Sequence, residues 1–394
     1  MSGAKLPTEW LVAQDAGEVI WLRFRRLASV NICRRILNKR YPEMPASTAD
    51  RKAAGVASAM RSALGYWETQ PTALNAKILS RYYAALQVSV AEEVASSRED
   101  SDLERVQRQT EKGHGLALLP ENGEKFPNEC YVVCMKSGNF CAYCESKGIP
   151  VSRIAFDKRP RQLSDIAEPD RAKAVPLVDL FRRVPELQPI LRESLDVAPL
   201  SFQAVHSMRN ATAGIFRQSS QGVLGARGSA PPLAPAPAAS KTSYIRILSS
   251  DEGVDAQYLQ RLGLPVKNIQ EKVDEGTKSP AFEGEIQHPA DQPVWNHFQH
   301  YKSAYCGTSV IAPLWGYPVD VFSMHLMILY ACSIVVRYMP SLWHRIEDGD
   351  LNHVRALLEH YMSIVDGVLP VLAVQNVTGV RLAVVEPGSW NAPV

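Results

Sequence analysis

The sequence predicts a mainly α protein of α+β class: a helical bundle in the N-terminal half, a small β-hairpin, and a mainly helical C-terminal region. Three observations predict it. Apolar residues recur at steps of three and four over much of residues 18–112. Short β-prone runs flank Ser137-Gly138-Asn139 and break that period. The helical period then returns at 319–339 and 350–369. With 394 residues, 46% hydrophobic and 21% charged, the chain has ordinary globular composition and enough length for more than one core.

Charge and composition exclude several classes. Lys and Arg total 43 against 41 Asp and Glu, a net charge of +2, so any basic site must be local rather than a global field. The N-terminus has no apolar run behind a charged segment, and seven cysteines form an odd set, which together imply a reducing, cytoplasmic setting. Val321 to Val336 carries no formal charge, but sixteen residues is short for a span, so a core helix is expected and no membrane partner. A Walker A loop, a Gly-x-Gly-x-x-Gly turn and a Gly-x-Ser-x-Gly elbow are all absent, and no cofactor is expected.

The elements follow in order. Residues 18–40 place Ile20, Phe24, Leu27, Val30, Cys33 and Leu37 on one helical face, with Arg23, Arg26, Arg34 and other basic residues opposite. That basic face is either a phosphate-binding ridge or a solvated, acid-paired surface. A second helix is expected from about Asp50 to Trp67, with small residues that permit close packing. A third starts after the candidate cap Thr72 and buries Leu74, Ile78, Tyr82, Leu86 and Val90. After the polar 97–102 segment, Asp102 caps a short helix with Arg105, Arg108 and Lys112 on one side, and Gly113 ends it ahead of His114.

Beyond this bundle the expectations are a hairpin at 130–145, helices at 175–195 interrupted by Pro185, and a Pro/Ala/Gly-rich linker at 219–240. That linker divides the chain into 1–218 and 241–394. A strand at 242–248, a short helix at 254–262 and loop at 264–293 follow. Cys130, Cys134, Cys141 and Cys144 invite a zinc reading, but alternation along strands sends Cys141 and Cys144 to opposite faces, so no metal site is expected. His297 and His300 have metal-compatible spacing without further ligands near them. Arg337, after an apolar helix, is expected in a buried ion pair, with Glu68 as its candidate partner.

The ordered set Tyr66-Trp67-Glu68, Ser80-Arg81-Tyr82-Tyr83, Gly113-His114-Gly115-Leu116, Leu329-Tyr330 and Arg337-Tyr338-Met339-Pro340 with Trp343 resembles the YaaC-like family of bacterial proteins. That resemblance implies no biochemical activity. Residues 72–116 look like the HEPN superfamily of helical bundles, many of them metal-independent ribonucleases with an Arg-x4-6-His motif, here matched by Arg108 and His114. The resemblance implies an RNA-directed protein, a ribonuclease of a toxin or defence system. His114 would move the proton, Arg108 would hold the phosphate, and Arg105, Lys112, Arg23, Arg26 and Arg34 would bind RNA. One histidine supplies one proton-transfer role, so this reading requires a homodimer. The other function class is a non-catalytic binding or scaffolding subunit that meets a partner protein through its helical surfaces.

Overall fold

The computed structural model describes residues 7–121, 123–207, 240–273, 280–297, 299–303, 307–316 and 320–388. The chain forms two compact units, Met1–Val197 with Leu314–Val394, and Ala198–Pro313.

The first unit opens with strand β1 (Thr8–Val12) and helices α1 (Ala16–Arg26), α2 (Val30–Arg40), α3 (Ala46–Glu68), α4 (Leu74–Val94) and α5 (Leu103–Thr110). The single helix expected over 18–40 is two. At the break, the Leu27, Ala28 and Ser29 amides bond back three residues to Phe24, Arg25 and Arg26, and Arg61 takes the Ala28 carbonyl at 2.8 Å. Both halves bury the same side, Ile20 and Phe24 and then Cys33 and Leu37, so the apolar period runs through the break and conceals it. Helix α4 is the centre of the unit. Ile78, Tyr82, Ala85 and Val88 are buried, as are polar Arg81, Ser89, Glu92 and Glu93, because α4 packs against α3 and the late helices described below. The alanines of α3 (Ala53, Ala57, Ala63) are fully buried and let the two helices approach closely. Asp102 caps α5 through the Arg105 amide at 2.9 Å, as its position implied.

Strands β2 (Leu116–Pro120) and β3 (Cys130–Met135) pair antiparallel, and helices α6 (Asn139–Ser146) and α7 (Val151–Ile154) follow. Strands β4 (Ala155–Phe156) and β5 (Val175–Pro176) flank β3 to complete a four-stranded sheet, and α8 (Leu177–Phe181) and α9 (Gln188–Leu195) close this part of the chain. The expected 130–145 hairpin is therefore corrected to strand and helix. Gly138, at φ 111° and ψ 178°, is the N-cap of α6 and not the corner of a two-residue turn. Cys141 and Cys144 are then three apart on a helix, so the strand argument against a metal no longer applies to them. All four cysteines are buried, and burial pushes the Cys130 thiol up to about 12 and that of Cys141 up to about 11. Among the described residues no group of three or more His, Cys, Asp or Glu side chains is placed to hold an ion.

The second unit is an antiparallel sheet of β6 (Ser201–Ser207), β7 (Ser240–Leu248), β8 (Lys267–Val273), β9 (Pro280–Pro289), β10 (His300–Ser303) and β11 (Gly307–Ile311), in the order β10-β11-β6-β7-β9-β8, with α10 (Ala256–Arg261). Its core contains Phe202, Ile245, Ile247, Leu259, Ile269 and Phe282. Strand β7 covers the run expected at 242–248, but the loop expected at 264–293 contains all of β8 and all of β9. The expected linker 219–240 lies outside the described residues except for Ser240. Its flanks are β6 and β7, paired neighbours in one sheet, and the boundaries between units fall at 197/198 and 313/314.

The chain returns to the first unit with α11 (Val321–Tyr338), α12 (Pro340–Asp348), α13 (Asn352–Thr378) and β12 (Arg381–Val385), which pairs parallel with β1. Helices α11 and α13 are long and apolar enough to cross a membrane by length and composition, and 72% and 67% of those windows are buried in the protein. The mainly α bundle is overturned: the protein is α+β, with about 53% of the described residues in helix and 20% in strand, and three sheets among them, one of six antiparallel strands. Sequence periodicity recorded most of the long helices and missed α6, β8 and β9.

Candidate functional site

The Gly113-His114-Gly115 loop is held by its backbone. Gly113 and His114 carbonyls accept from the Asn139 and Phe140 amides at 3.0 and 2.9 Å, and the Gly115 carbonyl accepts from Met135 at 2.9 Å. A Cβ on Gly138 would lie 2.4 Å from the Gly115 nitrogen and 2.6 Å from the Gly113 oxygen, so glycine is required where the two loops touch. This backbone frame aims the His114 side chain.

The ring of His114 meets α4 and α11. Its Nδ1 is 2.8 Å from the Tyr82 hydroxyl, and its centroid lies 5.6 Å from Tyr82 and 5.9 Å from Tyr330. Tyr330 donates to the Leu116 carbonyl at 2.8 Å, which fixes the second ring. The Arg337 guanidinium lies over Tyr82, Tyr83 and Tyr338 at 5.8, 5.9 and 5.1 Å from their centroids. It donates to the Tyr83 hydroxyl at 3.2 Å and to the Ser333 carbonyl and hydroxyl at 3.1 Å each. Among the described residues three of the five guanidinium N–H groups thus have acceptors and two do not. Among the described residues no carboxylate pairs with Arg337. Tyr66 stacks on Tyr83 at 5.5 Å, and Tyr338 is 68% exposed.

Burial first, and then the Arg337 charge, lowers the affinity of His114 for a second proton, so the ring is neutral at pH 7. Burial likewise holds the Tyr82 phenol far above its usual range, and it stays protonated. Donation from this hydroxyl to Nδ1 puts the imidazole proton on Nε2, and acceptance from Nδ1–H puts it on Nδ1. Among the described residues the cluster offers guanidinium N–H donors and a neutral imidazole without an acid, chemistry suited to an anion.

The expected site residues lie on α1, α2, α5 and the loop that follows α5. Arg108 and Lys112 are exposed, with no described ion pair, and the described neighbours of the His114 ring are Tyr82, Tyr330 and Arg337. Arg105 is bound to Asp100 and Arg34 to Asp50, while Arg23 pairs with Glu9 at 2.5 Å. Arg26 is exposed without a described partner. Glu68 pairs with Arg25 at 3.6 Å and not with Arg337. Sequence reasoning treated Arg337 as structural. The legible signal was its place in α11, a helix of eighteen residues without a single acid to pair it.

A second cluster also gathers residues of the ordered motifs. Arg81, 4% exposed, meets Asp366 of α13 at 2.5 and 3.4 Å and donates to the Trp67 carbonyl at 3.3 Å. Trp67 Nε1 and Lys77 reach the same carboxylate, each at 3.0 Å. These residues border a cavity of about 460 Å³ in which Arg25, Lys77 and Arg81 are balanced by Glu18, Glu68 and Asp366. The cluster joins α3, α4 and α13.

Comparison with known proteins agrees with the motif order and adds no activity. No curated protein and no solved structure matches the chain. The family model described as YaaC-like protein matches residues 25–377, which takes in both arginine clusters and the glycine-flanked histidine, and the chain belongs to that family.

Proposed function

We propose that the protein is an RNA-directed binding subunit that takes single-stranded RNA at the His114–Arg337 cluster and does not cut it. The observation that carries this reading is Arg337, a guanidinium that, among the described residues, has two N–H groups without an acceptor, no carboxylate partner and tyrosine rings around it. A phosphate oxygen suits the guanidinium fork, and partly exposed Tyr66 and Tyr338 suit unstacked bases. His114 serves as an Nε2–H donor, so no second copy of the site is needed for a second proton transfer.

The test is a fluorescence titration of labelled oligouridine at fixed salt. Arg337→Ala is expected to weaken binding about tenfold to a hundredfold, as for loss of a charge-assisted hydrogen bond. Arg337→Lys is expected to rescue it poorly, because an ammonium lacks the fork. Equal affinity of the parent and Arg337→Ala overturns the proposal. Cleavage in EDTA that disappears in His114→Ala would instead restore the catalytic reading.

A further inference from the structure

A cleft of about 480 Å³ lies where α1 and α2 meet the end of α13, within the usual range for a single small ligand. Its floor is aliphatic. Leu27 and Val374 are buried and Ile32, Ile36 and Val380 half-buried, and none of the described lining residues is aromatic. The rim is cationic: Arg23, Arg26, Lys39 and Arg40 face one acid, Glu9. Two of these charges are engaged. Arg23 is bound to Glu9 at 2.5 Å, and Arg40 donates to the Asn376 and Val377 carbonyls at the end of α13, at 3.1 and 2.5 Å. Arg26 and Lys39 are exposed and have no described ion pair.

We infer that this cleft binds a single-chain anionic amphiphile of the medium-chain fatty acid class, its carboxylate between Arg26 and Lys39 and its tail on the aliphatic floor. An aliphatic floor without a ring favours a methylene chain over a nucleobase or an indole. The uncompensated cations select an anionic head and reject an ammonium. Neither feature alone specifies the ligand; together they require a molecule that is greasy at one end and anionic at the other.

Calorimetry on the full-length protein, with probes kept below their micelle concentrations, tests this. Affinity is expected to rise about threefold to fourfold per methylene from octanoate to dodecanoate, the ~0.8 kcal/mol of a buried CH₂. Dodecylamine is expected to bind at least tenfold more weakly than dodecanoate. The double variant Arg26→Glu/Lys39→Glu, at two exposed positions, should lose dodecanoate binding with an unchanged circular dichroism spectrum. Ile36→Glu should lose it by placing a charge in the floor. Absence of dodecanoate binding, equal binding of the amine, or no dependence on chain length overturns the inference.

Discussion

Two arginines, both among aromatic rings and both in the ordered family motifs, have opposite surroundings. Arg81 is 4% exposed and closed by Asp366, with Trp67 and Lys77 on the same carboxylate. Arg337 is half-buried and bonded to hydroxyl and carbonyl groups, with no acid paired to it among the described residues. The difference separates a tie from a site. A guanidinium already matched by a carboxylate holds helices together and has little to offer a ligand, while one solvated only by neutral groups retains its attraction for an external anion.

The largest effect should come from breaking the tie. Arg81→Ala takes the buried guanidinium from Asp366, which is 30% exposed and keeps Lys77 and Trp67, and the expected loss is about 2–3 kcal/mol of unfolding free energy in a denaturant titration. Arg337→Ala should cost about 1 kcal/mol in the same experiment, because no buried acid is abandoned. Equal losses would erase the distinction between the two arginines.

Glu93 is the inverse of Arg337: a carboxyl, 5% exposed, whose Oε2 has no partner and which burial pushes up to about 7 despite Arg105 and Arg98 nearby. Its folded value lies above the ordinary 4.5, so its contribution is fully present below pH 4.5 and is lost as pH rises through about 7. Glu93→Gln should therefore gain stability relative to the parent between pH 5 and pH 8, by at most about 3 kcal/mol. Thermal melts at the two pH values that show the same difference would remove this desolvated acid from the account.

For the open site, the ratio of RNA affinity to stability decides. Arg337→Ala should lose about 1.5–3 kcal/mol of binding, whereas Arg81→Ala, at the lowest temperature where it stays folded, should bind as the parent does. The smallest expected effect is at Tyr82. Tyr82→Phe removes the hydroxyl bonded to Nδ1, at about 1 kcal/mol of stability. Nitrogen NMR should find the His114 proton on Nε2 in the parent and a mixture of tautomers in the variant. A proton on Nδ1 in the parent would free Nε2 to act as a base and reopen RNA cleavage.

What the sequence by itself determined is local. The buried stripe of α4, the Asp102 cap of α5 and the alternation that puts Ile245 and Ile247 inside β7 each depend on neighbours a few residues apart. The meeting of short motifs at one histidine was partly legible too, since Gly113-His114-Gly115 and the Tyr82-Tyr83 pair stood out as residues. Their roles were not. That 139–146 is a helix beginning where Gly138 meets Gly115, and that β9 pairs with both β7 and β8, were set by segments outside each run. Only the tertiary structure set Arg337 near His114 and gave Arg81 its acid from α13. Periodicity and capping are written in adjacent residues, whereas the charge that an arginine faces is set by a chain segment that can lie hundreds of residues away.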